Sequence, residues 1–527
     1  MSVFLLCAIM LLGDAGMMTI QAAPSTGRAA NLVVIVRYQG DTVGDDDTGY
    51  NTPYASQISG APTTYWGLLQ RRFNGENDTF AIGSFREYLS RLSGGAHQVE
   101  SLFPQTVSGE RVEYITLDKT LAEYQGSNEI SLVAEVAQKL TEKYPTYDGT
   151  LLDRDGDGAI DNLMILASVP KTGQFTPHTT NAGNSYTFAG KTIGYYNILE
   201  TCTTTLSSGT FWDSFDIATA AHEYVHTFGV PDYYRTSGMN GTPVGMWDLM
   251  AGSLGRPSLL ATTRESIGWA KIAQKTATSS TYTLYDMDSA YANGGKSQAY
   301  KFYTPFSSSE YFVVEYRKPG KKYSADLDQN MSGAGLIVYR VNPAYATDGN
   351  LRGNDYIYVF RPDDTGGNAS AGDITKAAAG MPTYISGRQS IGSEDLSKTI
   401  VDNAICYSDG RNSGMTISVT AQTDDSITFD VTFPDYANMN LWETVTSQDG
   451  TTPLSTMNAS ATQLATDGNA IYVLAQNTNS STVLQYDGAN WTNLGKPIDN
   501  VSSSVSIESC NGSLYALISD YRNNCSV

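Results

Sequence analysis

The chain has 527 residues, of which 41% are hydrophobic and 17% are charged, and its formal net charge is −21. This length is too great for one hydrophobic core, and the hydrophobic content excludes a disordered or fibrous chain. The negative charge argues against nucleic acid and anionic membranes as partners, because both repel an acidic protein. Nothing in the composition indicates an oligomeric state.

Residues 1–23 are predicted to be an export signal. An apolar run at 3–12 is too short to span a bilayer, and small residues follow at Ala22 and Ala23, where cleavage is expected. The alternative is a buried N-terminal strand, because no Lys or Arg precedes the apolar run. No later apolar stretch is long enough for a transmembrane helix, so we expect a secreted, extracellular protein without a membrane anchor.

Cleavage of that signal would leave four cysteines in an oxidising environment. They could form two disulfides: Cys202, Cys406, Cys510 and Cys525. A bond between Cys510 and Cys525 would close a short loop, but the spacing alone does not fix the pairing.

The predicted fold class is α+β. Residues 31–272 mix strands and helices and form one predicted domain. Buried apolar runs predict strands at 31–37 and 162–169, and apolar residues at helical spacing predict helices at 84–92, 130–144 and 215–227. Alternating strands then predict a β-rich domain at 273–433, followed by a linker at 434–440.

Residues 441–527 carry a faint repeat. The segment AIYVLA at 470–475 is echoed by SLYALI at 513–518, and a period in the forties is typical of propeller blades. Two copies are fewer than the roughly four blades that a propeller needs. The region is therefore predicted to be a truncated propeller or a small sandwich.

An acidic loop, DRDGDGAID, lies at 153–161 and predicts a calcium site. Carboxylates occupy loop positions one, three, five and nine, as calcium loops require. The predicted ligands are Asp153, Asp155, Asp157, the carbonyl group of Ala159, and Asp161. Met164 stands where such loops usually carry a bidentate Glu, so another segment must complete the shell. The alternative is a plain Asp/Gly turn that leads into a strand.

The chain has four histidines, and two of them, His222 and His226, stand four residues apart with Glu223 directly after the first. Residues i and i+4 lie on one face of a helix, so both imidazoles can reach one cation. Glu223 would then lie beside a metal-activated water as a general base and not as a ligand. The alternative is a pair of core histidines with a chance Glu between them.

The third metal ligand is predicted to be Asp232. Gly229 falls where the helix must stop, and Asp232 stands ten residues after His222, where the HExxHxxGxx(H/D) pattern returns a ligand to the metal. Two imidazoles, one carboxylate and one open position favour zinc. The competitor is Glu265, as in zincins that take a Glu from a later helix.

The segment GMWDLMAGS at 245–253 predicts a Met-turn, the apolar floor beneath the metal in metzincins. Met250 is the predicted floor residue, and Met246 is the alternative. A lone Met is more often plain core, so this interpretation depends on the metal motif beside it.

The segments HEYVHTFGVPDYY, GMWDLMAGS and SIGWAKI resemble the immune-inhibitor-A-like family of bacterial secreted metalloproteases. The resemblance extends to LLDRDGDGAIDNLMILAS upstream and GAGLIVYRV downstream, and it spans about residues 31–433. It implies a metzincin-like zincin domain, endopeptidase activity and bound calcium. It also implies zinc ligation by His222, His226 and Asp232, with Glu223 as the catalytic residue.

The sequence therefore predicts a zinc endopeptidase that cleaves extracellular proteins or peptides, with Glu223 as the general base. Tyr233, Tyr234 or His178 could stabilise the oxyanion, and spacing does not choose among them. Two alternatives remain open: a non-catalytic extracellular protein that binds protein or glycan, and a zinc hydrolase that acts on a non-protein substrate.

Overall fold

The computed structural model describes most of the chain up to residue 436 and seven short segments after it. The described ranges are 23–40, 65–75, 83–104, 114–124, 128–168, 177–201, 203–205, 211–213, 216–236, 240–292, 296–320, 327–328, 330–365 and 372–436. The later segments are 460–466, 470–476, 481–487, 490–495, 505–510, 513–519 and 525–526. The predicted export signal, apart from Ala23, lies outside the described residues, as does Cys202.

The chain forms two compact units, which adjoin in sequence at Pro434 and Asp435. This junction falls in the segment 434–440, which the sequence predicts to be a linker. Among the described residues, no helix has the length and the apolar composition that crossing a membrane requires.

The part of the first unit before residue 273 contains helices and mostly short strands. The strands are β1 (Gly27–Arg37), β2 (His97–Leu102), β3 (Ile115–Thr116), β4 (Ala159–Ile160), β5 (Leu163–Ser168), β6 (His178–Asn181), β7 (Thr187–Phe188), β8 (Lys191–Ile193), β9 (Tyr195–Thr201), β10 (Thr203–Thr205) and β11 (Phe211–Asp213). The helices are α1 (Tyr65–Asn74), α2 (Phe85–Leu92), α3 (Leu121–Tyr124), α4 (Glu129–Lys143), α5 (Ile217–His226) and α6 (Ala261–Ser266). Short 3-10 turns lie at Gly149–Leu151, Gly245–Trp247 and Leu249–Ala251.

A mostly parallel sheet lies at the centre of this part. Its strand order is β2-β1-β5-β9-β6, and β3 also pairs with β1. β1 runs parallel to β2, β3 and β5, and β5 runs parallel to β9. β6 is antiparallel to β9 and forms one edge of the described sheet, beside α5.

Helices cover both faces of this sheet, which explains why β1 reads as a continuous apolar run. Successive side chains of a strand point to opposite faces. Val33 and Ile35 pack in a core with α2 and α5, whereas Leu32, Val34 and Val36 pack in a second core with α4. The sheet therefore holds α5 by burying one face of that helix.

The strands predicted at 31–37 and 162–169 are confirmed as β1 and β5, and the helix predicted at 130–144 is confirmed as α4 to within one residue. α2 begins at Phe85, directly after the predicted N-cap Ser84. The Ser84 side chain accepts the Glu87 N–H at 3.0 Å, which satisfies a backbone donor at the start of the helix.

The part of the first unit after residue 272 is built mainly from strands. They are β12 (Ala273–Lys275), β13 (Ser280–Tyr285), β14 (Ala299–Phe302), β15 (Tyr311–Arg317), β16 (Gly335–Val341), β17 (Ile357–Val359), β18 (Ser390–Gly392), β19 (Thr416–Gln422) and β20 (Ser426–Thr432). One further helix, α7, spans Met287–Ala292, and 3-10 turns lie at Pro343–Tyr345, Ile374–Lys376 and Ile400–Asp402. The strands form two sheets of order β12-β14-β15-β16-β17 and β13-β20-β19-β18.

One hydrophobic core crosses the predicted boundary between residues 272 and 273. Val313 of β15, Ile337 of β16 and Ile357 of β17 belong to the same cluster of buried residues as Leu249 and Leu260. The change in sequence pattern near residue 273 marks a change from mixed helices and strands to mainly strands. The hydrophobic core is nevertheless continuous across this position.

The second unit consists of strands in two antiparallel sheets. The first contains β21 (Ser460–Thr466), β22 (Ile471–Gln476), β23 (Ser481–Tyr486) and β24 (Trp491–Gly495), and the second contains β25 (Val505–Cys510), β26 (Ser513–Ser519) and β27 (Cys525–Ser526). The two echoed sequence segments fall in β22 and β26, which are each the second strand of their sheet. The repeat therefore corresponds to a repeated strand arrangement.

Cys406 is buried and is not part of a disulfide. Burial raises the pKa of its thiol to about 11. Among the described residues Cys406 is therefore a buried free thiol, and it does not support the predicted pair of disulfides.

His97, at the start of β2, is fully buried behind α5. Its Nε2 lies 3.2 Å from the Tyr224 hydroxyl, and its ring stacks on Trp269 with 5.6 Å between ring centroids. Burial lowers the pKa of His97 to about 4. The unfolded chain takes up this proton near pH 6.5, so the stability contributed by the neutral ring is complete above that pH and is lost as the pH falls towards about 4.

We expect His97→Phe to reduce the loss of stability between about pH 7 and about pH 4 by roughly 3 kcal/mol, since it keeps a ring and removes the titration. Urea denaturation at a series of pH values measures this change. Tyr224→Phe is the control, because it removes the same hydrogen bond but leaves His97 able to titrate. An unchanged pH dependence in His97→Phe would contradict the assignment.

Candidate metal site

The metal motif lies in the second half of α5. The helix begins two residues later than predicted because Asp216 caps it, and the Asp216 carboxylate accepts the N–H groups of Ala218 and Thr219. His222 and His226 lie one turn apart on this helix, and their ring centroids are 4.8 Å apart. Both imidazoles therefore face the same place, as the spacing predicts.

Asp232 reaches that place from beyond the end of the helix. The chain turns at Gly229, whose φ of 79° is a conformation that a β-carbon disfavours. Asp232 Oδ1 then lies 3.0 Å from His222 Nε2 and 3.2 Å from His226 Nε2. Helix α5 and the segment 227–232, which turns back at Gly229, thus bring three possible metal donors together.

Both imidazoles are held by their other nitrogen. His222 Nδ1 lies 2.8 Å from the Leu249 carbonyl oxygen, and His226 Nδ1 lies 2.7 Å from the Val230 carbonyl oxygen. A carbonyl can only accept, so each Nδ1 carries a hydrogen and Nε2 is the atom of each ring that a metal ion would take. Metal-binding histidines are oriented in this way.

The spacing of the donors fits a zinc ion. Donors at ~2.1 Å from a tetrahedral ion stand about 3.4 Å apart, close to the two distances from Asp232 Oδ1. Among the described residues, His222, His226 and Asp232 form one of two groups that could hold a metal. The competing ligand Glu265 is engaged elsewhere: its Oε1 accepts the Ile272 N–H at 2.9 Å, and its Oε2 lies 2.6 Å from Lys301 Nζ.

The electrostatics also favour a cation. Burial alone would raise the pKa of the Asp232 carboxyl, but the two imidazoles outweigh burial and hold that pKa well below its usual range. Burial opposes a charge on His222, yet the hydrogen bond to Asp232 raises the pKa of the imidazole. A metal ion bound here would replace the hydrogen that His222 shares with Asp232.

Glu223 is buried beside the metal motif and is contacted from strand β6. Thr179 Oγ1 lies 2.6 Å from the Glu223 carbonyl oxygen and 3.0 Å from Glu223 Oε2. Asn197, on strand β9, donates from Nδ2 to Thr179 Oγ1 at 2.9 Å and to the Glu223 carbonyl at 3.2 Å. The carboxylate is therefore positioned by the sheet edge as well as by its own helix.

A buried chain of amide side chains continues from Asn197 across the sheet. Asn162 donates from Nδ2 to the Asn197 Oδ1 and to the Asn31 Oδ1, both at 2.7 Å. All three asparagines are fully buried. Asn162 directly follows Asp161, so these hydrogen bonds link the end of the acidic loop to the residues that contact Glu223.

The backbone of the predicted Met-turn contacts the metal motif at two places, on helix α5 and in the segment that follows the helix. Met250 is buried in the 3-10 turn Leu249–Ala251. The Leu249 carbonyl accepts from His222, and the Met250 carbonyl accepts the Tyr233 N–H at 2.8 Å. Met246, the alternative, is only partly buried and lies in the preceding turn.

Asp248 holds this turn together. It is fully buried, and its Oδ1 accepts the Met250 N–H at 2.7 Å. Its Oδ2 accepts the Leu260 N–H and the Thr263 hydroxyl, each at 2.7 Å. Burial raises the pKa of Asp248 to about 6, despite these hydrogen bonds.

The three residues considered for oxyanion stabilisation occupy different surroundings. His178 points to the other face of the sheet, where its Nε2 lies 2.8 Å from Glu129 Oε1. Tyr233 is buried, and its hydroxyl lies 3.5 Å from Thr263 Oγ1. Tyr234 is exposed, and its ring stacks near His222 with 6.4 Å between ring centroids.

The structure brings together three of the five predicted calcium ligands. Carboxylate oxygens of Asp153, Asp155 and Asp161 lie within 4.8 Å of one another. Asp157 lies outside this group, and its Oδ1 accepts the Ala159 N–H at 2.8 Å. In such loops a carboxylate can bond to the backbone of its own turn, which sequence spacing does not reveal.

Two features of this acidic loop affect cation binding. Burial raises the pKa of Asp161 to about 7, although its Oδ2 accepts the Ala30 N–H at 2.7 Å. Lys191 Nζ lies 2.6 Å from Asp153 Oδ2, so an ammonium group already neutralises part of the charge. A divalent ion would have to compete with Lys191 for Asp153.

Three residues near the motif were not predicted from sequence: Thr179, Asn197 and Asp248. Thr179 and Asn197 sit on separate strands and belong to no motif, so only the sheet order reveals them. Asp248 lies inside the quoted GMWDLMAGS segment, and an Asp before a tight turn was the available signal.

The chain matches no protein-family profile. It is 28% identical over 226 residues to the pre-pro-metalloprotease PrtV from two strains of Vibrio cholerae serotype O1. The aligned part is 36% of this chain and 23% of the relative, so the chain spans less than a quarter of the length of the curated relatives it matches. The similarity relates this chain to a metalloprotease, while the narrower resemblance to the immune-inhibitor-A-like family stays a prediction.

Asp248→Asn is expected to lower the free energy of unfolding by about 1–3 kcal/mol. Each carboxylate oxygen accepts a backbone N–H, so an amide must turn its own N–H₂ towards one of these donors. Urea denaturation measures the change. The control is Asp288→Asn, the same chemical change at an exposed residue of α7, for which we expect less than about 0.5 kcal/mol. Equal effects of the two variants would contradict this role of Asp248.

Proposed function

We propose that this chain is a secreted zinc endopeptidase with a metzincin-like catalytic domain. The observation that carries the proposal is the contact of one Asp232 oxygen with the Nε2 atoms of both His222 and His226. Glu223, the residue between them that the chemistry requires, is buried beside this group. The similarity to a metalloprotease supports the same conclusion.

His222, His226 and Asp232 would hold the zinc ion. When bound, zinc supplies Lewis-acid chemistry, since it polarises a carbonyl group and makes water more acidic. Glu223 would take the proton from the attacking water and deliver it to the leaving amine. Thr179, 3.0 Å from Glu223 Oε2, would keep the carboxylate in one orientation during this transfer.

A peptide substrate would bind as an extended strand along β6. This strand pairs with β9 on one side and forms an edge of the described sheet. An exposed edge offers backbone N–H and C=O groups to an added strand. Because Thr179 of β6 contacts Glu223, a peptide on this edge would lie beside the general base.

Tyr234 is the residue that would stabilise the oxyanion. Its ring lies near His222, and it is exposed to an incoming substrate. Burial and the charge of Asp232 raise the pKa of this phenol, so it stays protonated and can donate a hydrogen bond.

Calcium would be a structural cofactor in the acidic loop. Asp153, Asp155 and Asp161 supply the clustered oxygens, and Asp157 and the Ala159 carbonyl would complete the shell. Asp161 also bonds to the backbone of β1, so an ion here would strengthen the junction between the loop and the central sheet.

Glu223→Gln is expected to keep one zinc ion per chain and to lower the rate of casein cleavage on the order of 10²–10⁴-fold, because only the proton transfer is lost. Asp232→Ala is expected to lose zinc and activity together, because it removes a ligand. Metal analysis of the purified chain and a casein assay measure the two quantities.

Glu265→Ala is the control for this experiment, and we expect it to keep both zinc and activity. Zinc retained in folded Asp232→Ala but lost in Glu265→Ala would reverse the ligand assignment. A wild-type chain that binds zinc but cleaves neither casein nor gelatin would favour a non-protein substrate or a binding function.

Asp155→Ala is expected to abolish the rise in melting temperature that calcium produces, because it removes one of three clustered ligands. Asp118→Ala, at an exposed carboxylate paired with Lys139, is the control and should keep the rise. Lys191→Met should lower the calcium concentration needed for half of the effect, because the competing ammonium is gone. A full calcium response in Asp155→Ala would mean that this loop is not the site.

A further inference from the structure

Asn350 lies in the connection between β16 and β17 and contacts the backbone of the proposed third zinc ligand. Its own N–H donates to the Asp232 carbonyl oxygen at 3.1 Å. Its side-chain Nδ2 donates to the Tyr233 carbonyl at 3.1 Å and to the Ile357 carbonyl at 2.8 Å, while its Oδ1 accepts the Ile357 N–H at 3.1 Å. Asn350 is fully buried, and these bonds use both hydrogens of its amide.

The neighbouring residue approaches the same backbone even more closely. Gly349 has φ 60°, and a β-carbon at this position would lie 2.2 Å from the Asp232 carbonyl oxygen and 3.1 Å from Pro231. No side chain fits in that space. The connection therefore lies directly on the peptide unit that follows Asp232.

This connection is itself fixed at both ends. The Gly349 N–H donates to the Tyr345 carbonyl at 2.9 Å, and the Tyr356 N–H donates to the Gly349 carbonyl at 3.3 Å. Ile357 begins β17, which pairs with β16 in the larger sheet. We call residues 232–235, which carry Asp232, the ligand segment. Asn350 thus joins the ligand segment to β17, which is held in the sheet by its pairing with β16.

A buried ion pair holds the far side of the ligand segment. Arg235 contacts both carboxylate oxygens of Asp355, with Nη2–Oδ2 at 2.7 Å and Nε–Oδ1 at 3.2 Å. The two side chains are 2% and 7% exposed. The segment from Asp232 to Arg235 contains no helix or strand, so contacts from residues 349–357 supply the restraint that secondary structure would otherwise give.

We propose that Asn350 is a positioning residue for the metal site, which acts by fixing the backbone that carries Asp232. The inference rests on the proposed zinc function. A ligand on an unrestrained loop must be ordered each time a metal binds, and that entropy cost weakens binding. Residues that orient a metal ligand typically contribute 10–100-fold to affinity.

The test compares Asn350→Ala with Asn342→Ala in the full chain. Asn342 is a buried asparagine at the other end of the same connection, and its side chain bonds to Glu310 and Ser408 but to no part of the ligand segment. We expect Asn350→Ala to weaken zinc binding 10–100-fold in competition with a chelator. Asn342→Ala should keep the wild-type affinity.

The visible spectrum of the cobalt(II)-substituted chain provides a second measurement, because its bands respond to the arrangement of the ligands. We expect altered bands in Asn350→Ala and unaltered bands in Asn342→Ala. If Asn350→Ala does not fold, Gly349→Ala tests the neighbouring contact with the same ligand segment, since the added methyl group must push the Asp232 backbone away.

Wild-type zinc affinity and an unaltered cobalt spectrum in folded Asn350→Ala would overturn the inference and leave the proposed function intact. Equal losses in Asn350→Ala and Asn342→Ala would overturn it too, because the effect would then follow from general damage to the connection. A wild-type chain that binds no zinc would overturn the proposed function itself.

Discussion

The contact of the Asp232 carboxylate with two imidazoles is the interaction on which the rest of the site depends. The helix alone brings its two histidines together, because residues four apart lie on the same face. The third donor has no such advantage, since the helix must end at Gly229 and the chain must come back. Everything that fixes Asp232 must therefore come from outside the motif.

The surrounding structure divides this task among separate parts of the chain. The turn at Leu249–Ala251 holds His222 through a carbonyl, and Asp248 holds that turn. The sheet edge contacts Glu223 through Thr179. Strands β15–β17 share the hydrophobic core beneath the turn, and Arg317 of β15 donates to the Trp247 carbonyl at 2.7 Å. The metal motif is thus held from three directions.

Local patterns in the sequence predicted the local parts of this arrangement. The four-residue spacing of His222 and His226, the cap at Ser84 and the apolar run of β1 depend on neighbours within a few residues. For the same reason the sequence could propose Asp232, which follows its helix directly, and the structure brings it to the histidines.

Contacts between distant segments could not be predicted in this way. Asn350 is 118 residues from Asp232, and no spacing rule connects them. The hydrophobic core that joins residues before and after 273 could not be predicted from the sequence. The pattern of apolar residues indicates secondary structure, but it does not indicate which segments pack together. Asp157 fits the calcium-loop pattern, yet its carboxylate bonds to the backbone of its own turn. The first two outcomes depend on which segments the fold places side by side, whereas the third is a choice made within one turn.

The position of these supports along the chain has a consequence for synthesis. A nascent chain that has emerged only to residue 272 already carries every proposed zinc ligand and the general base. It lacks the strand that carries Arg317 and the connection that carries Asn350, so the ligand segment is without its contacts to residues 349–357. Contacts of such large sequence separation form late, after the loops between them close. The order of translation itself would therefore delay completion of the proposed zinc site until most of the first unit has been made.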